Sequence, residues 1–415
     1  MGRYHIWTIG CQMNKAESER LASLFEKQGM QPAADIKDAD LVIVNTCVVR
    51  QHAENRVVNL VHRLKASKTA NPNMRLAVTG CWVDSNIAGL KKTYPHIDYF
   101  FKSGDCPPWC DMAEWQQSLP ANPQVTAYIP ISQGCNNFCA YCIVPYRRGR
   151  ERSKPLDDVV CEVRELVRRG VREVTLLGQN VDSYGHDLPD KPGLADLMIK
   201  LHEIDDLWRI RFLTNHPKDM STRLIETVAR LPKVCQSLNI PMQAGSDDIL
   251  KAMRRGYTVA DYRRLIKEIR QHLPGVSLSN DVIVGFPSET EAQFQLTVDV
   301  LTELRFDMVH VAAYSPRPGT LAARDYTDDV PADEKKRRLA IVEQLQEGIA
   351  RDINEQLPGK EVEVLVEGKE KGNWQGRTRT DKIVFFRSDK NWTGRLVNIK
   401  IEKTSPWSLQ GSVKD

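Results

Sequence analysis

The chain has 415 residues, 41% of them hydrophobic and 27% charged, with a net charge of +4. A soluble protein of about three domains is expected, at roughly 150 residues each. The longest apolar runs, such as VTLL and DVIVGF, have strand length and exclude a helical membrane span, and the N-terminus has no secretory pattern. The expectation is therefore a cytoplasmic protein with no membrane partner. In that compartment ten cysteines point to metal or redox chemistry rather than to disulfides.

In chain order, YHIWTIGC predicts a strand ending at Cys11. KAESERLASLFEKQG predicts a helix with Leu21, Leu24 and Phe25 on one face and Gly29 as its stop. Asn14 and Glu17 read as a capping pair for it. ADLVIVNTC is a second strand ending at Cys47, a helix follows with Val57, Leu60, Val61 and Leu64 at helical spacing, and RLAVTGC is a third strand ending at Cys81. This βαβαβ pattern predicts a parallel sheet. Its three strand-terminal cysteines, 36 and 34 residues apart, would then meet on one edge, where such folds place ligands. Cys106 and Cys110 lie in a loop leaving this domain, where packing is favoured over ligation. Cys161 and Cys235 read as ordinary core or surface residues.

QQSLPANPQ, residues 116–124, is a linker. Six strands with intervening helices follow: VTAYIPISQGC, REVTLLGQN, WRIRFLTNHP, QSLNIPMQAGS, VSLSNDVIVGFP and DMVHVAAYSPRPG. Six is short of the eight in a closed (β/α) barrel, so an open partial barrel is expected, with its site at the strands' C-terminal mouth. A charged helix over 331–356 leads to short alternating strands over 361–413, a small antiparallel β-barrel. Residues 357–415 hold twelve Lys and Arg against eight Asp and Glu, so they carry the whole net charge. On charge alone that is an ordinary solvated surface, with a polyanionic partner as the alternative.

The first barrel loop carries QGCNNFCAYC, with Cys135, Cys139 and Cys142 spaced C-x3-C-x2-C. A structural zinc site wants four ligands, and the next cysteine is Cys161. Three thiolates on a four-iron cluster leave one iron open to a ligand that is not protein.

This motif resembles the signature of the radical S-adenosylmethionine (SAM) enzymes. The resemblance implies that SAM binds the open iron and is cleaved to a deoxyadenosyl radical. Two such triads with a C-terminal β module resemble the methylthiotransferases over essentially the whole chain. The implied architecture is α/β and multidomain: a flavodoxin-like N-terminal domain (1–118), an open (β/α)6 partial TIM barrel forming the radical SAM core (121–352), and a TRAM β-barrel (357–415). The texts TIGCQMN, GCNNFCAYCIVPYRRGRERSKP, LLGQNVDSYG, LNIPMQAGSD, MRRGYT and YSPRPGT look most like the MiaB-type branch, the tRNA 2-methylthio-N6-dimethylallyladenosine synthases. TGCWVDS and CPPWC depart from that branch.

The resemblance implies two [4Fe-4S] clusters, on Cys11, Cys47 and Cys81 and on Cys135, Cys139 and Cys142, with SAM as cofactor. The implied reaction methylthiolates C2 of an N6-dimethylallyladenosine beside the anticodon, one SAM giving the radical and a second the methyl group. Strand-end position and resemblance together suggest Gln179, Asn180, Gln243, Ser246, Asp281 and Gly285 as SAM contacts. Arg147, Arg148, Arg150 and Arg152 read either as phosphate or SAM-carboxylate contacts or as solvated charge. Arg150, Arg377, Arg379 and Lys382 are the expected RNA contacts, with Trp374 and Phe386 nearby. His186 and His216 receive no role. The expected partners are the tRNA anticodon stem-loop, an electron donor such as flavodoxin or ferredoxin, and sulfur- or cluster-supply proteins; a monomer is expected. The alternatives are a methylthiotransferase acting on threonylcarbamoyl-adenosine or on a ribosomal-protein aspartate, and a non-catalytic iron–sulfur RNA-binding protein.

Overall fold

A computed structural model describes residues 2–48, 51–84 and 86–414. The N-terminal layer is built on β1 (Arg3–Thr8), α1 (Gln12–Lys27), β2 (Gln31–Pro32), β3 (Leu41–Thr46), α2 (Gln51–Ala70), β4 (Arg75–Gly80) and β5 (Tyr99–Phe100). The strands form one parallel sheet in the order β2-β1-β3-β4-β5, the flavodoxin-like order. β3 is buried along its whole length, because alternate residues serve opposite faces. Leu41 and Ile43 pack with Leu21, Leu24 and Phe25 of α1. Val42 and Val44 pack with Val57, Leu60, Val61 and Leu64 of α2. The chain turns opposite ways out of β1 and β3, so a crevice opens at their C-terminal ends, beside Cys11 and Cys47.

One local expectation is corrected here. Cys11 is the N-cap of α1 and makes no side-chain cap bond. Asn14 is buried and donates Nδ2 to the Thr46 carbonyl at 3.0 Å and to Asn45 Oδ1 at 2.8 Å. Glu17 turns to Arg148 and Ser103. Tertiary partners have taken both side chains that a local cap would use.

Among the described residues six strands build the barrel of the central layer: β6 (Thr126–Pro130), β7 (Glu173–Leu177), β8 (Arg209–Phe212), β9 (Ser237–Asn239), β10 (Ser277–Val284) and β11 (Met308–Ala313). They form two parallel three-stranded sheets, β8-β7-β6 and β9-β10-β11. A single bridge between Ile210 and Val234 joins the two, with Cys235 N donating to the Ile210 carbonyl at 2.8 Å. No pairing joins β6 to β11 among the described residues, so the barrel stays open. Outward residues such as Val174, Leu176, Ile210 and Phe212 form one large core with the surrounding helices. The short helix α3 (Val144–Arg148) follows the cysteine loop, and the long helix α4 (Ala332–Asn354) leads out of the core.

The last layer comprises β12 (Glu361–Glu370), β13 (Asn373–Thr378), β14 (Ile383–Phe386), β15 (Leu396–Thr404) and β16 (Leu409–Val413). They close in the order β12-β13-β14-β16-β15. The pairing is antiparallel except between β14 and β16, which run parallel. Between β13 and β14 the chain turns around Asp381, whose φ is +62°.

That turn docks on the N-terminal end of the partial barrel. Arg209 donates to the Arg377 carbonyl at 2.7 Å and to Glu363 Oε1 at 2.8 Å, and Arg211 donates to the Thr378 carbonyl at 2.6 Å. Arg379 donates to the carbonyls of Pro232 and Val234, and Lys382 pairs with Asp307 at 2.8 Å. Arg377 is held by Asp381 and Glu367. Arg377, Arg379 and Lys382, expected to contact RNA, are therefore engaged at or beside the junction between two domains and do not form a free basic patch.

Candidate functional site

The three distant cysteines of the N-terminal domain meet at the crevice end of the sheet. Gly10 has φ +146°, and a Cβ there would come within 2.8 Å of Cys47 Cβ. Glycine thus lets the β1–α1 turn carry Cys11 against Cys47. Cys81 N donates to the Thr46 carbonyl at 2.9 Å, fixing Cys81 beside the same turn. Cys11 Sγ contacts Asn14 Oδ1 at 3.4 Å.

The second triad sits on the loop after β6. Gly134 has φ +83°, and a Cβ there would run into the Arg150 carbonyl. Its N–H is accepted by Gln179 Oε1, which ties the loop to the end of β7. Cys135 Sγ accepts from Asn137 N at 3.5 Å, and Cys142 N donates to the Cys139 carbonyl at 3.0 Å. Cys139 Sγ accepts from Arg255 Nη1 at 3.3 Å. Arg255 is buried, and its other bonds go to the hydroxyls of Tyr257 and Tyr141 and to the Pro241 carbonyl.

The two triads are neighbours. Helix α3 begins two residues after Cys142 and ends at Arg148. The buried Arg148 donates Nε to Cys81 Sγ at 3.1 Å and Nη1 to Glu17 Oε1 at 3.3 Å. Ile143 packs into the same apolar cluster as Cys81 and Trp82. On the other side, Met13 and Ala16 of α1 pack on Leu177, Tyr128 and Leu213 of the barrel strands.

The donor chemistry fits iron–sulfur clusters. Cys11, Cys81, Cys135, Cys139 and Cys142 form no disulfide. Desolvation pushes the thiols of Cys81 and Cys135 up to about 11 and that of Cys142 up to about 12. Such groups become thiolates when a metal supplies the compensating charge. Among the described residues no three Cys, His, Asp or Glu side chains form the ligand set of one metal ion. A cluster takes its thiolates at separate corners, so its ligands need not converge on one point. Arg148 Nη2 is buried with no hydrogen-bond partner, a vacancy that an anionic sulfur would fill.

Around the second triad the remaining expected contacts fall into two groups. Asn180 Nδ2 donates to Asp219 at 2.7 Å while its Oδ1 is buried and unpartnered. Ser246 is buried at the start of a short helix and makes no cap bond. Gln243, at φ +75°, bridges β10 through its backbone, and Asp281 accepts from Asn239 Nδ2 at 2.9 Å. Gly285 is different. A Cβ there would collide with the Lys335 side chain, and its N–H is taken by Glu289. Helix packing accounts for this glycine, and its amide is not available to a ligand.

Four groups went unassigned at the sequence level: Arg255, Asp182, Asn215 and His216. Asp182 is buried, accepts from Asn215 Nδ2 and His216 N, and is pushed up to about 7 by desolvation. His216 Nδ1 accepts from Lys218 N at 3.2 Å, and burial, then nearby Arg255, drives the ring down to about 2. The neutral ring therefore carries its proton on Nε2, which is buried and unpartnered. No spacing marks these residues in the sequence, although each follows a barrel strand.

The four arginines after the cysteine loop divide. Arg147 pairs with Asp84 at 2.7 Å and Arg148 serves Cys81, whereas Arg150 and Arg152 are exposed. The Arg150 guanidinium lies 4.3 Å from the Phe138 ring centroid. Cys106 and Cys110 lie with Trp109 against the α1 side of the first domain, which is the packing role.

Three family models match successive parts of the chain: the uncharacterized protein family UPF0004 over 3–102, the radical SAM superfamily over 129–301, and the TRAM domain over 355–414. A tRNA-2-methylthio-N(6)-dimethylallyladenosine synthase from Dehalococcoides mccartyi (strain CBDB1) is 55% identical over 413 residues, covering 100% of this chain and 99% of that one. The synthase of the same name from Herpetosiphon aurantiacus is 46% identical over 430 residues, covering 99% and 97%. Among solved structures, the radical S-adenosylmethionine methyltransferase TsrM from Kitasatospora setae, with cobalamin and a [4Fe-4S] cluster bound, superposes with a TM-score of 0.55. It shares 14% identity, covering 77% of this chain and 76% of that one, and so speaks for the fold alone. Among the described residues no helix is long and apolar enough to cross a membrane. Full-length identity of this extent, on a fold in which Arg148 reaches from the loop of one cysteine triad to Cys81 of the other, places the chain in the tRNA-2-methylthio-N(6)-dimethylallyladenosine synthase family of radical SAM methylthiotransferases.

Proposed function

We propose that this protein methylthiolates C2 of N6-dimethylallyladenosine next to the anticodon of tRNA. The observation that carries the reading is the approach of the two triads through Arg148, in a chain 55% identical end to end to proteins named for that synthesis. The target C–H bond has no useful acidity, so no side-chain base opens it. Cys135, Cys139 and Cys142 would hold one [4Fe-4S] cluster, and Cys11, Cys47 and Cys81 a second. When bound, the two supply the electron for reductive cleavage of SAM and an open iron for sulfur.

The chain's own residues set the stage for that chemistry. Arg255 and the Gln179–Gly134 bond fix the loop that carries Cys139. Asn180, Gln179, Gln243, Ser246 and Asp281 are offered as SAM contacts. Asn180 Oδ1 is an unpartnered acceptor suited to an ammonium group, and His216 Nε2 an unpartnered donor suited to a carboxylate or hydroxyl. The buried side chains beside the triads, Ile143 next to Cys142 and Trp82 next to Cys81, keep water from a reactive radical. Exposed Arg150 and Arg152 remain to meet RNA phosphate at the mouth. A reducing partner of flavodoxin or ferredoxin type, a sulfur-supply protein, a cytoplasmic setting and a monomeric state complete the reading.

The test is anaerobic reconstitution with iron, sulfide, SAM and tRNA bearing dimethylallyl-adenosine, followed by nucleoside mass spectrometry. The expected product is the methylthio nucleoside. Unaltered tRNA alongside SAM cleavage would remove the tRNA assignment and leave a radical enzyme with another substrate.

A further inference from the structure

Buried arginines meet the sulfurs of both triads, but only one of them crosses between domains. Arg148 comes from the barrel loop, six residues beyond Cys142, and puts Nε on Cys81 of the N-terminal domain. Its Nη1 goes to Glu17, which Ser103 also contacts, and its Nη2 has no partner. A guanidinium has five donors and no acceptor. Buried, it is stable only where anions surround it. Here Glu17 supplies a carboxylate at 3.3 Å, and Cys81 Sγ at 3.1 Å is a sulfur that becomes anionic once it ligates a metal.

We infer that Arg148 is a positioning residue of the auxiliary sulfur site. It holds anionic sulfur at the Cys11–Cys47–Cys81 triad through Nε and Nη2, and it sets the reduction potential there against the opposing charge of Glu17. This rests on the reading of that triad as a cluster site. A positive charge nearby favours the reduced, more negative form, and a negative charge disfavours it. Removing Arg148 and removing Glu17 must therefore move the potential in opposite directions. A role confined to packing gives no such sign.

The experiment uses the full chain carrying Cys135→Ala, Cys139→Ala and Cys142→Ala, so that only the auxiliary triad loads. Midpoint potentials are measured by dye-mediated titration followed by electron paramagnetic resonance. Arg148→Met is expected to lower the reduced-to-oxidised ratio at fixed potential about tenfold, which for one electron is about 59 mV. Glu17→Gln is expected to raise it by a similar factor, and Arg148→Lys to stay within about threefold of the parent. If Arg148→Met does not fold, Arg148→Gln takes its place as the variant that removes the positive charge, and the sign test compares it with Glu17→Gln. Potentials that are unchanged, or that shift the same way in both charge-removing variants, overturn the inference. A parent that takes up no iron overturns instead the reading of the triad as a cluster site.

Discussion

Arg255 donates Nη1 to Cys139 Sγ at 3.3 Å and Nη2 to the Pro241 carbonyl at 2.9 Å, pinning the middle cysteine of the radical loop to the chain that follows β9. Charged hydrogen bonds of this kind contribute roughly 1.5–3 kcal/mol, so Arg255→Met should slow deoxyadenosine formation about 10- to 100-fold. Arg255→Lys restores one donor and should recover part of the rate. Quantifying 5′-deoxyadenosine by chromatography checks both. An unchanged rate in Arg255→Met would make the contact incidental.

The two triads should separate under mutation. Cys139→Ala removes a radical-site thiol and should abolish both deoxyadenosine and the methylthio nucleoside. Cys81→Ala leaves the radical loop intact, so deoxyadenosine should still form while the methylthio nucleoside is lost. Measuring both products in each variant decides it. Loss of both products in a folded, iron-loaded Cys81→Ala protein would argue against the division of labour.

Stability should fall as pH rises through the range set by Asp182. Its carboxyl titrates near 7 in the folded protein because burial disfavours the charge, against 3.8 for the ordinary group. Between those values the folded state binds the extra proton. The stabilisation is complete below about pH 4 and is lost as pH rises to about 7, amounting to roughly 2–4 kcal/mol. Asp182→Asn should flatten that slope in urea denaturation at pH 5 and pH 8. Parallel pH profiles for the two proteins would assign the slope elsewhere.

The junction between core and C-terminal barrel rests on a buried charge cluster. Glu173 accepts from Arg211 at 2.9 Å and lies 3.8 Å from Arg209, and all three are buried. Glu173→Gln would leave two buried guanidiniums short of a counter-charge and should cost about 3–5 kcal/mol. Denaturant unfolding measures this. A loss under about 1 kcal/mol would mean that Glu363 and Asp381 compensate.

The cysteines were legible because the βαβ period places strand ends at regular intervals, and the sheet order then brings those ends to one crevice. The six barrel strands were legible because each apolar run stops at a polar or glycine-rich loop. The Asn14–Glu17 pair was misread because a local signal cannot announce that Thr46, Ser103 and Arg148 will compete for the same atoms. The bonds of Arg377, Arg379 and Lys382 at the domain junction went unannounced for a related reason: composition does not distinguish a cation facing solvent from one facing another domain. Gly285 looked like a ligand-facing turn, whereas Lys335 of α4, some fifty residues on, is what requires it. Arg255, Asp182 and His216 acquire meaning only from what surrounds them.

The reach of Arg148 into the first domain bears on how the polypeptide can be cut. Severed near residue 120, the front fragment would keep Cys11, Cys47 and Cys81 but surrender the guanidinium that touches Cys81. Co-expressed fragments could work only if they re-docked closely enough to return it, so complementation between the pieces should stand or fall with that one side chain.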